Sequence, residues 1–355
     1  MSASSDPVRV AIAGLGRAGW SIHAMGLKPR EGFKIVAAID REAERLKEAE
    51  STFPGCRGYS EWSDFLKNRN GAELIIVATQ SSLHGPMAIE ALNAGLHVMV
   101  EKPMALSTGE AERMIAASRK AGRLLTVHHN HRCDADIHHL IAIFNSGILG
   151  RVIEIKNNGG RFYRRNDWQA LRKYGGGILN NWCSHSIDQL LLLLQSPVAS
   201  VWGDLQLCVS PGDAEDHAHV LIRGKNGRVA DMESSWGASI PVPPLIVLGT
   251  LGTLVREGDD FVIKYTDAAT LPKIEVVEQL AVPGRKYGTL GSDEKIEWKE
   301  KRVKAVNPDF QVDFYGRLHD SIRKGAELFV TPESALDVIR VLDLARKGTG
   351  FELNR

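Results

Sequence analysis

Residues 8–20, VRVAIAGLGRAGW, form an apolar run that breaks at three glycines and continues as a helical stretch. No other feature limits the fold as strongly. A strand that feeds a helix through Gly14-Leu-Gly16-Arg17-Ala18-Gly19 reads as the first turn of a doubly wound parallel sheet that binds a dinucleotide. Gly14 permits the tight turn, Gly16 lets a pyrophosphate approach the backbone, and Gly19 lets helix and strand pack closely. Arg17 and Ala18 fall where free N–H groups at a helix start favour an anion. A second apolar strand, KIVAAID, ends in Asp40, about 20 residues past the glycines, where a carboxylate accepts the ribose hydroxyls of adenosine. That carboxylate repels a 2′-phosphate and favours NAD. Arg41, next in the chain, suits stacking on adenine or clamping a 2′-phosphate, which keeps NADP as the less favoured alternative.

Three more apolar strands, ELIIVAT, LHVMVEKP and RLLTVHHN, alternate with helical stretches such as HGPMAIEALNAG and STGEAERMIAASRKAG. The alternation implies a parallel sheet with helices on both faces. Ligands in such sheets collect beyond the carboxyl ends of the strands, so Thr79, Gln80, Ser82, His84, Glu101, Lys102, Asn130 and Arg132 are predicted to share one crevice. If RLLTVHHN runs on as a strand, Asn130 and Arg132 share a face with His128, and that face is the better fit for a cofactor. HHNHRCDADIHH invites a metal reading, but its spacing repeats no known closed site, and no metal is expected.

Beyond about residue 131 the pattern changes. One helix, DIHHLIAIFNSG, precedes RVIEIKNNG, and HAHVLIRG and GRVADMESSW alternate as half-buried strands do. At 355 residues the chain exceeds the size of most single cores. We therefore expect a dinucleotide-binding domain over 1–130 and an α+β domain over 131–355 with a large, open, mainly antiparallel sheet. One face of that sheet would pack on the helix of residues 175–195, and the other is free to pair with a second copy. Residues 271–304 read as a polar excursion or hairpin, and two amphipathic helices are expected near 309–324 and 332–347.

Charge excludes several partners. Lys+Arg number 44 against Asp+Glu 43, so no basic field exists for nucleic acid or a membrane surface. The opening MSASSDP lacks the apolar core of a secretory signal, and no apolar run is long enough to span a bilayer. The four scattered cysteines form no CxxC pair and fit reduced thiols, so a cytoplasmic protein is expected.

GGGILNNWCSHSID, residues 175–188, leads three glycines into an apolar helix with a polar stripe: Asn181, His185 and Asp188, at i, i+4 and i+7. Such a stripe either forms a buried network or lines a cavity. Just before it, RFYRRNDWQALRKY supplies Tyr163, Arg164, Arg165, Trp168 and Arg172, residue types suited to a polyhydroxylated or acidic substrate, though equally to a solvated loop. Trp236 is either a stacking surface for a sugar ring or core.

AGLGRAG with Asp40, VEKP at 100–103, NHR at 130–132 and GGGILNNWCSHSID together closely resemble the glucose-fructose oxidoreductase, inositol dehydrogenase and rhizopine-catabolism family, Gfo/Idh/MocA, over essentially the whole chain. The resemblance implies an N-terminal Rossmann domain, a C-terminal α/β domain, and hydride transfer between NAD(P) and a secondary alcohol of a sugar, sugar acid or cyclitol. It implies that Lys102 sits beside the nicotinamide and the reacting oxygen, and that His185 is the base or acid. It further implies that Asn181, Tyr163, Arg164, Trp168 and Asp188 face the substrate, and that copies pair as homodimers or homotetramers. Relatives often carry an aspartate where this chain has Asn181, which cannot stabilise an imidazolium by charge. Two other functions fit the same motifs: a redox-neutral enzyme that retains NAD through transient oxidation and elimination, glycoside cleavage or epimerisation, and a non-catalytic NAD-binding regulator.

Overall fold

The computed structural model describes residues 6–274 and 295–353. Strand β1 (Val8–Ala13) ends at the glycine turn, after which Ala18–Ala24 winds as a π-helix that tightens into α1 (Met25–Leu27). Next come β2 (Phe33–Ile39), α2 (Ala43–Thr52), β3 (Arg57–Tyr59), α3 (Trp62–Lys67), β4 (Leu74–Val77), α4 (His84–Asn93), β5 (His97–Val100), α5 (Thr108–Ala121) and β6 (Leu125–Val127). The strands form a parallel sheet in the order β3-β2-β1-β4-β5-β6. Helices cover both faces, so Ile12, Ile75, Ile76 and Met99 are fully buried in its centre. The order reverses between β1 and β4, the switch point where ligands bind in open α/β sheets.

Local chemistry sets the helix ends. Ser107 accepts the Glu110 N–H at the start of α5, while the Glu110 carboxylate reaches back to the Leu106 N–H, and Gly122 ends the helix in the left-handed conformation.

After α6 (Ala135–Asn145) and β7 (Val152–Gly160), the three glycines lead into a π-wound turn, Leu179–Cys183, and α7 (Ser184–Leu194). Strands β8 (Val198–Gln206), β9 (His217–Gly224), β10 (Val229–Ser235), β11 (Leu245–Gly249), β12 (Gly252–Glu257), β13 (Asp260–Tyr265) and β14 (Lys299–Lys304) join β7 in a second sheet. Its order is β14-β13-β12-β11-β7-β10-β9-β8, with β7 and β10 parallel and the other pairs antiparallel. Burial alternates along β9, as in a sheet with one covered face.

The chain then returns. α8 (Phe314–Lys324) brings Tyr315 against His23, and α9 (Pro332–Arg346) packs on α5 and β6 on one side and on β8 and α7 on the other.

Several expectations are corrected. β6 stops at Val127, and Asn130–Cys133 form a 3₁₀ turn, so strand alternation does not govern where these side chains point. The helix expected from 309 begins at Phe314, after a short 3₁₀ turn at Pro308–Phe310. Of the excursion expected over 271–304, the last six residues are β14, and 275–294 lie outside the described residues. Among the described residues no helix is long and apolar enough to cross a membrane.

Candidate active site

The glycine turn is shaped by close approach. Gly14 has φ +88°, and a Cβ there would meet the Ala78 carbonyl oxygen at 2.7 Å; one on Gly19 would fall 1.7 Å from the Gly14 oxygen. A Cβ on Gly16 meets nothing within 4 Å, so the middle of the turn is open. Asp40, at the end of β2, accepts the Leu15 N–H at 2.7 Å and the Glu42 N–H at 2.9 Å, with Arg45 at 3.3 Å. Its carboxylate thus fastens the turn to the next strand, and Arg41 beside it is exposed.

Next to this turn, beyond the carboxyl ends of β4 and β5, lies a cavity of about 440 Å³, within the usual size of a small-molecule site. Arg17, Ala18, Thr79, His84, Glu101, Lys102, Asn130, Trp168, Asn181 and His185 line it, all named from the sequence. A more open cleft of about 420 Å³, lined by Arg30, Phe33 and Asp313, sits at the opposite end of β2, away from the switch point.

Lys102 crosses the cavity between the two sheets. Its Nζ donates to the Asn181 backbone oxygen at 2.6 Å and lies 3.4 Å from Asn181 Oδ1. The same backbone oxygen also accepts from Ser184 Oγ at 3.5 Å, on the π-wound turn that precedes α7. Burial pushes the Lys102 ammonium down to about 8, against the pull of Glu101, with Arg165 and Arg17 pushing the same way as burial. His185 is 9% exposed, and its Nδ1 has no hydrogen-bond partner. Burial and the Lys102 charge hold its imidazolium well below the usual range, so it stays neutral near pH 7.

Glu101, one residue before Lys102, is held from three elements. Its Oε1 accepts from His23 Nε2 and His128 Nδ1, both at 2.9 Å, and His23 Nδ1 meets the Tyr315 hydroxyl at 2.9 Å. Burial opposes the charge on Glu101, but the two imidazole bonds win and hold its carboxyl well below the ordinary range. His23, Glu101 and His128 are close enough to hold a cation, yet their facing atoms are already joined by hydrogen bonds. The sequence reading missed His23 and Tyr315, which lie 292 residues apart on a π-helix and the C-terminal α8.

Residues 8–129 match the oxidoreductase family with an NAD-binding Rossmann fold, and residues 137–255 match the GFO/IDH/MocA C-terminal domain. The chain belongs to the GFO/IDH/MocA family. The scyllo-inositol 2-dehydrogenase (NADP(+)) of Bacillus subtilis is 28% identical over 353 residues, 97% of this chain and 94% of its own. The myo-inositol 2-dehydrogenase of Thermotoga maritima is 26% identical over 236 residues, 64% of this chain and 68% of its own. GenD2 from gentamicin A biosynthesis, solved in complex with NAD, shares the fold at a TM-score of 0.75 and 22% identity, covering 97% of this chain and 95% of its own.

Against this GFO/IDH/MocA frame, several named side chains lie elsewhere. Asp188 does not share the cavity with Asn181 and His185: it lies one turn beyond His185 on α7 and is buried against Arg132, which donates to it through Nε at 3.0 Å. Arg132 is thereby withdrawn from the cofactor crevice as well. Gln80 bonds Ser82 at 3.3 Å, and the intervening Ser81 lines the cavity in place of both. Tyr163 packs edge-on against Trp236, and Arg164 donates to the Val209 carbonyl at 3.0 Å. Arg165 pairs with Asp167 at 2.6 Å over the Trp236 ring, and Arg172 binds the carbonyls of Gly350 and Glu352. Gln169 and His131 also line the cavity. The sequence does not point to either, because a loop glutamine carries no pattern and His131 reaches the wall through a 3₁₀ turn beyond the end of β6.

Proposed function

We propose that this oxidoreductase transfers hydride between a secondary alcohol of a sugar, sugar acid or cyclitol and NAD. The observation that carries the reading is Lys102, held by Asn181 in one cavity with His185, beside the glycine turn. The open space at Gly16 and the helix start behind it suit a pyrophosphate, which Arg17 and Ala18 would border. Asp40 is the carboxylate nearest that turn and supports NAD over NADP. When bound, the nicotinamide supplies the hydride acceptor.

The chain supplies the rest. With two N–H groups given to the backbone and side-chain oxygens of Asn181, the Lys102 ammonium keeps one donor for the substrate oxygen as it gains alkoxide character. Glu101, braced by two imidazoles, fixes the backbone from which Lys102 projects. An imidazole in the cavity takes the hydroxyl proton. The inositol dehydrogenases among the relatives support a polyol substrate.

The test is absorbance of NADH when the purified protein and NAD meet a panel of cyclitols, aldoses and sugar acids. A stoichiometric rise with one of them, lost in Lys102→Met, is the expected result; product formation without net NADH would replace the reading with a redox-neutral one. Pairing of copies through the outer face of the second sheet belongs to the same proposal, since Trp202 there is 52% exposed. Light scattering should show an oligomer that Trp202→Glu weakens.

A further inference from the structure

We infer that Trp182 is a stacking platform at the rim of the cavity, and that it makes the site select a six-membered polyol ring over an open-chain polyol. The inference rests on the dehydrogenase reading above and narrows its substrate class.

A tryptophan in a folded chain normally buries its ring or finds a partner for its indole N–H. Trp62 gives its N–H to Glu90 at 2.6 Å, and Trp236 is 8% exposed, edge-on to Tyr163 with the Arg165 guanidinium over its face. Trp182 does neither. Its side chain is 50% exposed, and among the described residues its Nε1 donates no hydrogen bond.

Its place in the chain is equally particular. It follows Asn181, whose two oxygens hold Lys102 Nζ, on the π-wound turn that leads into α7. The indole lies edge-on to the His185 ring at 6.3 Å between centroids and tilted to the His131 ring at 6.2 Å, and both imidazoles line the cavity. Against its Nε1 stands the end of β7, Gly159-Gly160. A Cβ on Gly159 would come 3.4 Å from Nε1, so the missing side chain keeps that edge of the indole uncovered.

A secondary alcohol with its oxygen between Lys102 and His185 therefore has the indole beside it. A pyranose or cyclitol with mostly equatorial hydroxyls presents a face made of C–H bonds. Laid on the indole, that face gains dispersion contact and sheds water, and a hydroxyl at its edge can accept the free N–H. An open-chain polyol has no fixed face and must freeze several torsions to form one. The contact is remote from the breaking C–H bond and equal in ground and transition states, so it acts on KM and leaves kcat alone.

The experiment follows the ring directly. Protein labelled with 5-fluorotryptophan and saturated with NADH is titrated with myo-inositol, glucose and glucuronate as ring probes, and with glucitol and gluconate as open-chain probes. The resonance watched is the one that Trp182→Phe removes. At least one ring probe should shift it, and the open-chain probes should not. With NAD and the ring probe oxidised fastest, Trp182→Leu should raise KM about tenfold and Trp182→Phe about threefold, with kcat and its pH profile kept within about twofold. Both variants should keep the wild-type melting temperature, because the side chain is half exposed. The platform is overturned if no ring probe moves the Trp182 resonance, if an open-chain probe moves it equally, or if KM stays within twofold in Trp182→Leu. A kcat that falls while KM holds also overturns it, since the indole would then act through His185. A ring probe that moves the resonance in a protein that reduces NAD with none of the probes leaves the platform standing and overturns only the dehydrogenase reading.

Discussion

Two glycine-rich turns, residues 14–19 and 175–177, each feed a π-wound helix that reaches the same cavity, yet their glycines serve different neighbours. In the first turn Gly14 and Gly19 approach protein, and Gly16 between them faces open space. In the second, every position is filled by protein: a Cβ on Gly175 would strike Leu106 and Ser81, on Gly176 the Gln169 carbonyl at 2.4 Å, and on Gly177 the Glu215 carboxylate at 2.2 Å. Glycines before a helix thus mark a ligand cradle in one place and tight chain packing in the other. What tells them apart is the space over the middle residue, which a motif does not report.

Lys102 stands between the two turns, and removing it should have the largest effect. Lys102→Met is expected to lower kcat by about 10³-fold, measured with saturating NAD and the best substrate of the panel, while the melting temperature changes little. Next comes Gly176→Ala, which forces a methyl group into a carbonyl oxygen. It should cost about 3 kcal/mol of stability, read from denaturant unfolding. Gly16→Ala is its counterpart and should leave stability within about 0.5 kcal/mol while weakening NAD about ten- to a hundredfold by calorimetry. If the two alanine variants behave alike, the contrast between the turns is wrong.

The smallest effect sharpens the comparison at its meeting point. Burial lowers Lys102 to about 8, so the ammonium is lost as pH rises through that value, and activity should fall on the alkaline side. A carboxylate at 181 would sit beside Nζ, favour the charged form, and move that limb upward by about one unit in Asn181→Asp. A limb that stays in place would show that Lys102 does not set it.

Much of this was legible in the chain. The first turn, Asp40 and the alternation of strands and helices are local patterns, and they led to the parallel sheet and its switch point. Lys102 and His185 came from motifs and share one cavity. The failures have physical causes. Strand β6 ends early, so His131 reached the cavity through a turn whose geometry no alternation describes. Sharing a helix face did not place Asp188 in the cavity, because one turn beyond His185 it meets Arg132 from the turn after β6 and pairs with it. The brace on Glu101 depends on Tyr315, and contacts across 292 residues leave no mark in spacing.

The return of the C-terminal helices also sets the order in which this protein can be completed. Thr126 at the edge of the first sheet bonds the Val330 carbonyl, Thr108 bonds Asp343, and Arg346 on α9 reaches Asn180 beside the second glycine turn. A ribosome delivers residues 8–127 early, but the helix that covers β6 and steadies the turn before His185 is made long after them. The nascent chain must therefore hold an unfinished sheet edge through most of its synthesis. A premature stop between residues 332 and 346 would remove part of the helix that closes this edge, even though every residue named around Lys102 had already been made.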